Sequence, residues 1–140
     1  MLVKCINNVG GSLPAYYRTR CLPKVGQDYK WSLELGKKYL ACGVGTFSGC
    51  TLYLIRPDGA MYPDFLPAPL FQVVDGRLSQ SWRFWATSQF CEQLMECLFG
   101  YMELADGSNH LDDLMDGRRE ALEIFNMRYW ELERELRTQL

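Results

Sequence analysis

The spacing of apolar residues changes once along the chain, just after Trp85, and that change limits the folds open to it. Before Trp85 the apolar runs are short, β-prone and separated by Gly, Pro, Asn and Asp, as in strands joined by tight turns. After it, apolar residues recur every three or four positions, the period of a helix with one buried face. Strands followed by helices, with no linker, repeat or low-complexity tract between them, predict one α+β domain over 1–140. Residues 1–85 are expected to form the β part and 86–140 a helical cover. At 140 residues the chain can bury roughly two thirds of its unfolded surface, so no disulfide or metal is required for folding.

The expected elements follow from local patterns. "LVKCI" (2–6) reads as a strand, and the Gly-, Pro-, Tyr- and Arg/Lys-rich stretch after it as a long loop. "ELGKKYLACGVG" and "TLYLIRPDG" flank "TFSG" as a hairpin, with a turn at Pro57-Asp58-Gly59. "LFQVVDG" (70–76) and "RLSQSWRFW" (77–85) form a second predicted hairpin about Asp75-Gly76, with Leu78, Trp82 and Phe84 on one face. Phe90, Leu94, Cys97, Leu98 and Tyr101 predict a helix opening at Thr87 or Ser88. Asn109 with Asp112 caps a short helix facing Leu111, Leu114 and Met115 inward, and Leu122, Phe125, Tyr129, Leu132 and Leu136 mark the last helix. Arg119 with Glu123 and Glu133 with Arg137 are spaced for surface ion pairs on it.

Gly36 and Tyr39, then Tyr53, Ile55, Asp58 and Gly59, then Pro67, Leu70 and Phe71 resemble the strand motifs of small bacterial and prophage proteins with an SH3-like barrel. The resemblance covers about a third of the chain. It implies an SH3-like barrel, which the five short strands read above, in antiparallel order and followed by C-terminal helices, would suit. Proteins of this look include immunity proteins that neutralise bacterial toxins.

Little in the chain suits catalysis. His110, the only histidine, lies in "SNHLDD" and is expected exposed in the first turn of a helix. Asp112 and Asp113 are adjacent and diverge by about 100° on a helix, so they cannot face each other as a glycosidase pair. No nucleophile elbow, P-loop or GxGxxG occurs, and no enzyme is predicted. The six cysteines form no CxxC pair. All six are expected reduced, without metal or cofactor, in a cytoplasmic protein lacking a membrane span.

Charge carries more information. Residues 1–60 hold eight basic and three acidic side chains, whereas 61–140 hold seven and fourteen. From Thr87 to Gly117 there are seven carboxylates, Glu92, Glu96, Glu103, Asp106, Asp112, Asp113 and Asp116, and no Lys or Arg. Such a surface steers a basic partner. With the immunity-protein resemblance, the expectation is a non-enzymatic inhibitor that binds a basic protein, a toxin domain such as a nuclease, through an acidic helical face. The alternative is an adaptor for nucleic acid or a peptide through loop 14–24, where Tyr16 and Tyr17 sit among Arg18, Arg20 and Lys24. Of the two, nucleic acid is the less expected partner.

Overall fold

The computed structural model describes residues 1–87 and 95–138. Its strands lie in two antiparallel sheets. The first has three strands in the order β2-β1-β6, formed by Leu2–Cys5 (β1), Lys38–Leu40 (β2) and Phe71–Asp75 (β6). The second has five in the order β5-β4-β3-β8-β7, formed by Gly43–Phe47 (β3), Cys50–Ile55 (β4), Asp64–Pro67 (β5), Arg83–Ala86 (β7) and Cys97–Gly100 (β8). Two helices follow, His110–Met115 (α1) and Arg119–Thr138 (α2). The α+β class and the order of strands before helices agree with the sequence. Neither sheet closes on itself, so two open sheets stand where one five-stranded SH3-like barrel was expected.

The first hairpin forms as its composition predicts. β3 and β4 pair from Gly43↔Leu54 to Phe47↔Cys50 across Ser48 and Gly49, both with positive φ, which is the two-residue turn that matches strand twist. Pro57-Asp58-Gly59 also turns, with Gly59 at φ 71° and the Ala60 N–H donating to Pro57 O.

The second hairpin does not form. β6 pairs with β1, through Val3↔Val73 and Cys5↔Phe71, while β7 joins the other sheet beside β8. Among the described residues Gly76 is not one of the glycines with positive φ, as a tight Asp-Gly turn would need. Asp75 instead accepts from the Arg77 backbone N–H and from its guanidinium, which locks an open turn. Consequently Leu78, Trp82 and Phe84 do not share a strand face, for Trp82 is buried and the other two are exposed.

The helix expected through Tyr101 is also corrected. Residues 97–100 are extended and lie between β3 and β7, in the middle of the large sheet. Leu98 is buried opposite Gly45 and Trp85. Phe90, Cys91, Glu92 and Leu94 lie outside the described residues. Two register partners, Gly43 and Gly100, make room for Leu104, since a Cβ on either would meet Leu104 Cδ2, at 2.5 and 2.7 Å.

Buried side chains gather in two clusters. One holds Val3, Tyr17, Trp31, Tyr39, Leu70 and Phe71, and the other holds Leu54, Trp82, Tyr101, Leu114, Phe125 and Leu132. Met1 and Phe65 pack against both. The stripe of α2 faces the second cluster as its spacing predicts, and both expected ion pairs on that helix form, Arg119–Glu123 and Arg137–Glu133. No helix among the described residues is long and apolar enough to cross a membrane.

The cysteines give a further correction. Cys21 and Cys50 are joined in a disulfide, with Cα atoms 6.6 Å apart across a sequence separation of 29. Cys21 ends a one-turn π-helical segment, Tyr17–Cys21, that the fold lays against the start of β4. Spacing alone gave no sign of this pair, because β2 and β3 lie between the two cysteines in the chain and only the fold brings them together. Cys5, Cys42 and Cys97 are free thiols.

Candidate acidic face and its neighbouring cleft

The carboxylates singled out by sequence fall into three groups. Glu92 lies outside the described residues. Three are engaged with neighbours. Glu103 takes a two-pronged bond from Arg128, at 2.5 Å from Nη2 and 2.9 Å from Nε, with both side chains about one-fifth exposed. The Arg128 guanidinium holds the Glu103 carboxyl below the usual carboxylate range. Asp113 pairs with Arg118 at 3.3 Å, and Glu96, just before β8, accepts the Gly49 N–H at 2.9 Å at the β3–β4 turn.

Asp106, Asp112 and Asp116 form the third group. All three are exposed, and among the described residues none has an ion pair. Asp106 accepts the Ser108 N–H at 2.8 Å, and hydrogen bonding from Ser108 lowers its pKa, so it stays charged at neutral pH. Asp112 and Asp116 stand one turn apart, on the same side of α1 and its C-terminal cap. Met102 and Met115 are 47% and 43% exposed, which places apolar contact area beside this charge. Met115 therefore points outward rather than into the core as its spacing predicted. Phe99 is half-buried and Tyr101 buried.

Beside α1 lies a cleft of about 440 Å³ whose walls come from the β4–β5 connection and the α1–α2 turn. Asp64 and Asp116 both line it. The Tyr62 hydroxyl donates to Gly117 O at 3.2 Å, and its ring packs on Gly117, whose φ of 74° turns the chain from α1 toward α2. Sequence reasoning missed this cleft, because Asp64 and Asp116 are 52 residues apart by number and only the fold joins them.

His110 is buried rather than exposed, despite its place in the first turn of α1. Its Nε2 meets the Tyr101 hydroxyl at 2.6 Å, and burial lowers its pKa, so the ring is neutral near pH 7. Closed off from solvent, it is a packed core residue rather than an open general base. Among the described residues no group of three or more His, Cys, Asp and Glu side chains is placed to hold a metal ion.

On the basic side, Tyr17 is buried, and its hydroxyl both donates to Thr51 O and accepts from Thr51 N–H, at 3.2 and 3.1 Å. Arg18 is half-buried, with its Nε shielded from solvent and lacking a hydrogen-bond partner. Tyr16, Arg20 and Lys24 remain exposed. One ring, not two, is thus free to stack on a base.

Comparison with protein-family models, with curated proteins and with solved structures gives no match.

Proposed function

We propose that the protein is a non-enzymatic, immunity-type inhibitor that binds a basic toxin enzyme, such as a nuclease, through its acidic face. The observation that carries this reading is the group Asp106, Asp112 and Asp116, exposed without an ion pair among the described residues and flanked by exposed Met102 and Met115. Carboxylates already paired within a fold have little to gain from a partner, whereas these three keep their full attraction for one. A nuclease must be basic to hold phosphate, so an acidic protein surface can take the place of nucleic acid on it.

The test begins with capture of the partner from the native strain and its identification. Association is then measured for a triple variant with Asp106, Asp112 and Asp116 all changed to Lys. A steered complex is expected to associate at least about tenfold more slowly, with the difference shrinking as salt rises. Reversal of Arg20 and Lys24 to Glu is the control and leaves the rate unchanged. Should the triple variant keep full affinity while the control loses it, the binding surface is loop 14–24 and the adaptor reading takes over.

A further inference from the structure

We infer that the cleft between the β4–β5 connection and the α1–α2 turn receives an arginine side chain of the protein partner, held between the carboxylates of Asp64 and Asp116. This rests on the acidic-face reading and extends it to a defined pocket. The two carboxylates come from distant parts of the chain, the start of β5 and the cap of α1, yet open on the same cleft. Among the described residues no cation is paired with either. Arg118, the nearest cation in sequence to Asp116, is turned toward Asp113.

The remaining walls suit the stem of such a side chain. Pro57, Pro63 and Met115 offer apolar surface for its methylenes, and Tyr62 offers a ring held in place by its bond to Gly117 O. A long cationic side chain lays its stem on apolar surface while its head seeks charge. Guanidinium suits this arrangement better than ammonium, because it is planar, stacks on an aromatic face and bonds carboxylates through a fork of donors. The cleft volume, about 440 Å³, falls within the roughly 300–1,000 Å³ of pockets that take small ligands.

The full chain is titrated at low salt with the peptide acetyl-Gly-Arg-Gly-amide, followed by amide NMR shifts, with the uncharged citrulline peptide as comparison. Shifts confined to Tyr62, Asp64 and Asp116 through Arg118 with the arginine peptide only are expected. Asp64→Asn, which keeps an oxygen to accept the Phe65 N–H that Asp64 now accepts, should weaken the peptide by about tenfold, as loss of a charge-assisted bond does. Asp106→Lys should leave the shifted residues unchanged. Equal shifts with citrulline, shifts elsewhere, none at all, or no effect of Asp64→Asn would each overturn the proposal. If the cleft fails in this way while the triple lysine variant still slows the captured partner, the acidic-face reading stands without it; if both fail, both are refuted.

Discussion

Tyr39 and Asp58, two of the residues behind the family resemblance, touch each other. The Tyr39 hydroxyl donates to Asp58 Oδ2 at 2.7 Å and accepts the Glu34 N–H at 2.9 Å, and Lys37 closes on the other carboxylate oxygen. The motif therefore ties the Pro57–Gly59 turn to β2, a role in folding rather than in binding. Burial, and then the Asp58 carboxylate, push the Tyr39 phenol up to about 12 from 10.0, while Lys37 and Tyr39 lower the Asp58 carboxyl. A raised folded pKa gives stability that is complete below the unfolded value and lost as pH climbs through the folded one, so Tyr39 contributes to alkaline unfolding between about pH 10 and 12. Asp58 acts at the other end. Its lowered pKa gives stability present above the ordinary value of 3.8 and lost as pH falls below it. Tyr39→Phe is expected to cost about 0.5–1.5 kcal/mol at neutral pH and to make the alkaline decline shallower. Tyr17 and Tyr53, also raised by burial, leave a residual slope. Urea unfolding at a series of pH values measures both effects, and a variant with unchanged slope and midpoint would remove Tyr39 from this role.

At the scale of elements, the Cys21–Cys50 bridge ties the one-turn segment Tyr17–Cys21 to β4, beside the bonds of the Tyr17 hydroxyl to Thr51. Closing a loop with a sequence separation of 29 restricts the unfolded chain by roughly 3–4 kcal/mol in the chain-entropy view. Replacing both cysteines with serine should lower stability by about that amount, and digestion without reductant should yield peptides joined through Cys21 and Cys50. Such a bridge persists in oxidising surroundings; recovery of both cysteines as thiols from the native source would refute it there and favour the reducing cytoplasm expected from sequence. The bridge was invisible in the sequence because nothing local signals a contact between a loop and a strand so far along the chain. Several elements whose signal is local were readable, the hairpin expected at Asp75-Gly76 being the exception. The α2 stripe, its two surface ion pairs and the Ser48-Gly49 and Pro57–Gly59 turns all follow from residues within a few positions of one another. Cys97–Gly100 was misread because Cys97, Leu98 and Tyr101 fit a helical stripe, whereas the four residues are too few to show the alternation of a strand. Tertiary pairing to β3 and β7 settled it. The candidate face divided in the same way. Its charge could be read directly, but which carboxylates are neutralised depended on Arg128, 25 residues beyond Glu103.

On the scale of the whole molecule, the order of the strands decides whether the β part can stand alone. β8 comes from residues 97–100, yet it lies between β3 and β7, so a chain ending at Trp85 lacks an internal strand of the large sheet. It would also lose Leu104, which occupies the space left by Gly43, and the α2 residues Phe125 and Leu132 that complete the second buried cluster. Residues 3–71 of the first cluster would remain, but Met1 and Phe65, which pack against both clusters, would face water on one side. Exposing this apolar surface in a fragment already deprived of an internal strand works against a margin that for whole domains is only about 5–15 kcal/mol. We therefore propose that residues 1–140 fold as one cooperative unit. The fragment 1–85 is expected to aggregate or to show no cooperative thermal transition, whereas the full chain melts in a single step. Calorimetry of both, with circular dichroism of the fragment, decides the matter: a soluble fragment with its own sharp transition would divide the chain into two independent domains.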